Sequence, residues 1–331
     1  MRVITRAELP GLLSVASCIE VMEQTFRALA DGQVEQPLRT GLPVREHGLF
    51  LAMPAVLPGT GAFGLKAIAV LPEYEGTEWE SHQGVVVLFG HGPQALVAVI
   101  DASSLTAIRT AAVSGLATRL LARADAEDLA MIGTGVEART HLEAMAAVRP
   151  LRRIRVWSRS PRRCEEYAAW ARGIVSVPVE VAPSAEAAVR EADLVCLVTS
   201  ATVPVVQGEW LSPGAHLNAV GAHRPDSRET DSDTMARARV FVDSRVAALA
   251  EAGDLMIPIE EGRITAGHIV GELGDLVTGR MPGRQNDAEI TLFKSLGLAV
   301  EDIAAAHAVW QRAEEVGAGS VIDLGGTRDC Q

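Results

Sequence analysis

From Asp128 to Thr199 the chain alternates short apolar runs with helical stretches, and few folds accept that order. The runs Leu129–Ile132, Arg153–Trp157, Val177–Val181 and Asp193–Thr199 are separated by helical patterns reaching about Ala147, starting at Pro161, and spanning Ala185–Glu191. Strands divided by helices must return to the same sheet by right-handed crossovers, which predicts a parallel, doubly wound sheet. Two more runs, His216–Val220 and Val240–Val242, extend it.

The residues before this alternation have another character. Val15, Cys18, Ile19, Met22, Phe26 and Leu29 fall at helical spacing between Ser14 and Ala30, and Asp31-Gly32 ends the segment. Strand patterns follow at Phe63–Leu71, Gly84–Phe89 and Ala95–Ile100, with His91-Gly92-Pro93 as a turn, which reads as an antiparallel sheet. Leu105–Arg123 is a long helical stretch closed by a short linker, and Leu298–Glu315 is another, with Val300, Ile303, Ala306 and Trp310 on its apolar side. We expect an α+β domain over 1–124 completed by a C-terminal helix at 298–316, a doubly wound domain over 125–297, and a loose tail at 317–331.

At 331 residues the chain exceeds one ordinary core. Its formal charge of −12 opposes binding to nucleic acid or an anionic membrane. The start of the chain has no signal-peptide pattern and no apolar run reaches the length of a membrane span, so a soluble, cytoplasmic protein is expected. Cys18, Cys164, Cys196 and Cys330 fit no ligand-like or paired spacing, which suits a reducing compartment. The eight histidines are scattered, so no metal site is expected. Ser114 lies in an apolar helix with no base at hand, which argues against nucleophilic catalysis.

Met131-Ile132-Gly133-Thr134-Gly135-Val136-Glu137-Ala138 follows a strand and opens a helix. Gly133 permits a tight turn, Gly135 lets the backbone approach a pyrophosphate, and the helix N-terminus faces the anion. A structural strand-to-helix turn would read the same way, and Ala138 stands where a third glycine is common. About twenty residues on, an NAD enzyme carries a carboxylate for the adenine ribose. Here the second strand ends in Trp157-Ser158-Arg159-Ser160, whose cation and hydroxyls suit a 2′-phosphate. NADP(H) is therefore favoured, with NAD(H) left open; otherwise Arg159 is one more solvated arginine.

Of thirty basic residues only Lys66 and Lys294 are lysines. Lys66 interrupts the apolar strand Phe63–Leu71, where a desolvated lysine can shed its proton and act as an acid or base, as guanidinium cannot. The competing reading puts Lys66 on a wet face with Leu65 and Ala67 turned inward. For Lys294, in Leu292-Phe293-Lys294-Ser295-Leu296-Gly297, the balance is even.

The stretch Leu105-Thr-Ala-Ile-Arg109-Thr-Ala-Ala-Val-Ser114-Gly-Leu-Ala resembles the signature helix of the ornithine cyclodeaminase and mu-crystallin family. Gln36-Pro-Leu-Arg39, Met53-Pro54, Gly64-Leu-Lys66, Ser81-His-Gln83, Gly208-Glu-Trp210, Asn218-Ala-Val-Gly221, Val242-Asp-Ser244 and Thr291–Gly297 resemble it further, in family order. The resemblance implies a Rossmann domain inserted in a substrate-binding domain, and a homodimer built through the sheets of the latter. By position it implies that Arg39, Lys66, Arg109 and Leu296 meet a small carboxylate-bearing imine or amino acid. It places Arg109, Gly133, Gly135, Val136, Glu137, Ser158, Arg159, Thr199, Asn218, Val220, Gly221 and Ser295 at the cofactor. Arginine independently suits a carboxylate, through its planar charged fork.

In ornithine cyclodeaminases an aspartate handling the substrate amine stands two positions after the segment like Asn218–Gly221; here that position is His223. Imine reductases similar to mu-crystallin also lack it, and Gly221–Glu229 resembles their version. This favours reduction of a cyclic 2-carboxy-imine, 1-pyrroline-2-carboxylate or 1-piperideine-2-carboxylate, with Lys66 as proton donor. His223 either assists by relaying a proton or hydrogen-bonds a backbone carbonyl. Ornithine cyclodeamination, alanine-dehydrogenase-like amination, 3-hydroxyproline dehydration and non-catalytic binding are the alternatives.

Overall fold

The structure, a computed structural model, describes residues 1–44, 47–74, 77–92 and 95–324. It divides into two compact units: Met1–Arg109 with the chain from Leu298 onward, and Thr110–Gly297. The division falls inside the helix Ala102–Leu121, upstream of the boundary expected near residue 124. A continuous apolar helix carries no compositional mark at its middle, so the sequence offered only the linker after it.

The first unit holds β1 (Arg2–Ile4), β2 (Thr40–Pro43), β3 (Leu49–Leu57), β4 (Ala62–Val70), β5 (His82–Phe89), β6 (Leu96–Asp101) and β15 (Ser320–Val321). They form one sheet in the order β15-β1-β6-β5-β4-β3-β2, antiparallel except for the β1–β6 pair. Pro93 of the expected turn lies outside the described residues. Leu51, Met53, Ala55 and Leu57 of β3 point to one buried face, while Phe50, Pro54 and Val56 point away. The helix Ala299–Val316 packs on the buried face, and the helix Val15–Ala30, whose Ser14 caps it by accepting from Ser17 N, packs against that helix. Gly64 makes room for this packing, because a Cβ there would lie 2.1 Å from Val87 O and 3.2 Å from Ile303 Cδ1.

The tail is not loose up to residue 324. Gly317 ends the last helix in the left-handed region at φ 70°, and β15 then pairs antiparallel with β1. The amino terminus donates to Ile322 O at 3.0 Å. Cys330 and the rest of 325–331 lie outside the described residues; Cys18, Cys164 and Cys196 are buried free thiols.

The second unit contains β7 (Asp128–Ile132), β8 (Arg153–Trp157), β9 (Val179–Val181), β10 (Leu194–Leu197), β11 (His216–Ala219), β12 (Arg239–Val242), β13 (Ile269–Glu272) and β14 (Thr291–Lys294). All neighbours run parallel in the order β13-β12-β14-β11-β10-β7-β8-β9. The chain winds outward from β7 to β9, then returns to β10 on the other side, so the topological switch lies between β7 and β10. Strands β13 and β14 were not expected, and β14 inserts between β11 and β12. Among the described residues no helix is long and apolar enough to cross a membrane.

Candidate active site

Strand pairing sets Lys66 opposite Met53 on one side and Val86 on the other, on the buried face of the first sheet. Only 3% of Lys66 is exposed, so the wet-face alternative fails; Leu65 and Ala67 are the residues turned outward. What makes this burial tolerable is Asp302, on the first turn of the helix Ala299–Val316, whose Oδ2 lies 2.8 Å from Lys66 Nζ. Its Oδ1 accepts from Arg109 Nε at 3.0 Å, and neighbouring Glu301 Oε2 accepts from Arg109 Nη1 at 2.8 Å. Both acids are fully buried. Thr106 Oγ1 stands 3.4 Å from Lys66 Nζ, and Gln36 Oε1 accepts from Val300 N, tying the helix start to the segment that leads to half-buried Arg39.

Burial pushes the Lys66 ammonium down to about 8; Asp302 opposes this, while Arg109 and Arg39 press it lower. For Asp302 burial acts upward, yet the facing Arg109 and Lys66 outweigh it and hold the carboxyl below its usual range. Lys66 and Arg109 thus share two buried carboxylates, and the Arg39 charge acts on Lys66 from nearby. The cluster holds a lysine poised to give up a proton near neutrality.

In the second unit β7 runs into the glycine loop and the helix Val136–Val148. Gly133 adopts φ 120°, where a Cβ would meet Val198 O at 2.5 Å, so only glycine allows the turn. Gly135 is the helix N-cap, makes no side-chain cap, and would place a Cβ in open space. Unsatisfied N–H groups beside an open approach suit a phosphate, so the loop fits a dinucleotide. Val136 is exposed, and half-buried Glu137 stands 3.6 Å from His141 Nδ1. Arg159 is exposed after β8, and Ser158 N donates to Cys164 Sγ at 3.0 Å. Thr199 and Val220 follow β10 and β11, while Asn218 and Ser295 are fully buried. Asn218 Nδ2 donates to Thr118 Oγ1 at 2.8 Å, and Ser295 Oγ is buried with no hydrogen-bond partner. Leu296 N donates to Asp243 Oδ2 at 2.5 Å.

Ser114 does have a base within reach, His141 Nε2 at 2.9 Å. His141 Nδ1 bonds Glu137 O at 2.7 Å, so Nδ1 donates and Nε2 accepts the serine hydroxyl. Both side chains are sealed from solvent and burial lowers His141 to about 4, so the pair ties two helices together and offers no nucleophile to a substrate.

The ornithine cyclodeaminase/mu-crystallin family model matches residues 1–317. The chain belongs to this family. It is 38% identical over 326 residues to the Delta(1)-pyrroline-2-carboxylate reductase of Bacillus cereus, covering 98% of this chain and 100% of the relative. It is 40% identical over 293 residues to the ketimine reductase mu-crystallin of Mus musculus, covering 88% of this chain and 90% of the other. The solved Thermococcus litoralis Delta(1)-pyrroline-2-carboxylate reductase, in complex with NADH and L-proline, superposes with a TM-score of 0.95 at 36% identity, covering 97% of this chain and 100% of that one. As a family member the chain is an enzyme of the NAD-dependent reductase type, and its second unit is the Rossmann fold.

Within that family frame His223 is half-buried, and its Nδ1 bonds Gly221 O at 3.1 Å, the backbone-carbonyl contact the sequence left as one alternative. Two residues essential to the cluster, Glu301 and Asp302, escaped the sequence reading. Acids in a helix's first turn ordinarily complement its dipole, which masks any other role.

Proposed function

We propose that the protein reduces a cyclic 2-carboxy-imine, of the 1-pyrroline-2-carboxylate or 1-piperideine-2-carboxylate kind, to the cyclic amino acid with a nicotinamide cofactor. The observation that carries this reading is the buried Lys66 ammonium, lowered to about 8 and held 2.8 Å from Asp302 beside the Arg109 guanidinium. The planar guanidiniums of Arg39 and Arg109 suit the substrate carboxylate. Lys66 then holds an ammonium that gives its proton to the imine nitrogen as the C=N bond is reduced, with the new C–H bond on the carbon bearing the carboxylate. The reduced nicotinamide, when bound, supplies the hydride. Asp302 holds Lys66 Nζ on one carboxylate oxygen and Arg109 Nε on the other, which fixes the donor relative to the guanidinium. Where a cyclodeaminase needs an aspartate for the amine, this chain has His223, which supports reduction over ornithine cyclodeamination.

Arg159, exposed after β8 with no carboxylate beside it in Trp157–Ser160, supports NADPH over NADH. We also read the protein as a homodimer. The outer face of the first sheet exposes Phe50 at 36%, Val85 at 38% and Val56 at 39%, around the stacked rings of Phe63 and Phe89. A groove of about 520 Å³ lined by Pro37, Pro54, Leu65 and Phe89 opens on that face, an apolar area suited to a second copy. Three buried free thiols support a cytoplasmic setting.

The deciding experiment follows NADPH and NADH oxidation by the purified protein with 1-pyrroline-2-carboxylate and 1-piperideine-2-carboxylate, beside pyruvate plus ammonia, with ornithine assayed separately for ammonia. Rapid turnover of a cyclic imine is expected. Ammonia from ornithine without imine turnover would overturn the proposal.

A further inference from the structure

Lys294, the second of the two lysines, ends β14 fully buried, and its Nζ lies 3.1 Å from Asp254 Oδ2. The contact is ionic and not a well-aligned hydrogen bond. Asp254, also fully buried, turns its other oxygen to the chain at 229–230: Oδ1 accepts from Glu229 N at 2.9 Å, Thr230 N at 3.0 Å and Thr230 Oγ1 at 2.9 Å. The Glu229 side chain in turn grips the loops after β10 and β11. Its Oε1 accepts from Thr199 N at 2.7 Å and Thr199 Oγ1 at 2.8 Å, and its Oε2 accepts from Gly221 N at 2.6 Å. These loops touch so closely that a Cβ on Gly221 would lie 1.9 Å from Thr199 O.

We propose that Glu229, backed by Asp254 and Lys294, is a positioning residue that holds the Thr199 and Gly221 loops in the shape to which the nicotinamide cofactor binds. The inference rests on the nicotinamide-cofactor reading above. Three donors converge on one carboxylate, a role only the ionised form fills without loss, because a protonated oxygen would face a donor with another donor. Burial raises Glu229 to about 7; the Lys294 charge opposes that rise, Asp254 adds to it, and the Thr199 bonds oppose it. The clamp is therefore closed above neutrality and loosens as pH falls through about 7. This also accounts for lysine at 294: a compact ammonium sits fully buried against one carboxylate oxygen, whereas guanidinium would bring five donors needing partners.

The test is titration of NADH and NADPH binding by fluorescence from pH 6 to 8.5, without substrate, for the wild type and Glu229→Gln. The amide keeps the shape but presents N–H groups where an acceptor is needed, so the dissociation constant should rise about tenfold at pH 8. The wild type should weaken toward the variant near pH 6, and the variant should show a flat profile. Lys294→Met, which removes the charge holding Glu229 down, should move the wild-type transition to higher pH. Equal affinity of Glu229→Gln and wild type at pH 8, or the same pH slope in both, overturns the clamp while leaving the cofactor reading intact. A wild type that binds neither dinucleotide at any pH overturns the cofactor reading itself.

Discussion

Asp302→Asn separates the charge of Asp302 from its shape. The pair sits at 2.8 Å, and Coulomb attraction at that distance is about 1.5 kcal/mol at a water-like dielectric and about 6 kcal/mol at the effective value for protein sites. Those limits correspond to about one to four pH units in the ammonium's favour. Removing the charge at the lower limit takes Lys66 from about 8 to about 7. The sign is downward because a cation loses its counter-charge while Arg39 and Arg109 remain. The proton donor is the ammonium, so kcat/KM for imine reduction falls above its pKa. Wild type and variant should then agree closely at pH 6 and differ by about tenfold at pH 9, with the alkaline limb displaced about one unit to lower pH. The fold should survive because the amide keeps the shape and an acceptor oxygen for Lys66, and Arg109 keeps Glu301. Initial rates across pH 5.5–9.5, with the thermal midpoint measured alongside, make the assay. A uniform loss at every pH, or a limb displaced upward, would refute the role given to Asp302.

Lys66→Met should lower kcat about 10²–10⁴-fold at neutral pH, with NADH affinity unchanged by fluorescence titration; an unaltered kcat removes the lysine from the chemistry. Arg159→Ala should weaken NADPH about tenfold or more while leaving NADH nearly as before, and equal losses would contradict the 2′-phosphate reading. Leu65→Arg plants a charge on the exposed sheet face opposite Pro54 and Val87. Sedimentation velocity should then show twice the chain mass for the wild type and a single chain for the variant; an unchanged mass would place the interface elsewhere.

The doubly wound sheet was legible because its strands alternate with helices and its first turn carries glycines that the backbone needs. Other elements carry no such mark. The run Leu49–Leu57 contains Pro54, which has no N–H for a ladder, yet it forms a nine-residue inner strand. Strand β14 is only four residues long and carries Thr291 and Lys294, both buried, so no hydrophobic period announces it. The cations of the site could be picked out, since lysine is rare in this chain and Lys66 breaks an apolar run. Their counter-charges could not: Asp302 lies 236 positions from Lys66, and no local pattern links residues that only the tertiary fold brings together.

The return of the C-terminal helix to the first sheet has a consequence for the order in which a nascent chain matures. Ribosomes release Lys66 and Arg109 long before Glu301 and Asp302 exist, so the first unit must wait, solvated and incomplete, with cations whose burial needs acids not yet made. The second unit is contiguous from Thr110 to Gly297 and has its whole core by then. The part of the protein begun first is thus finished last, and a chain stopped just before Leu298 would leave the tunnel with a completed dinucleotide fold and no sealed partner for Lys66.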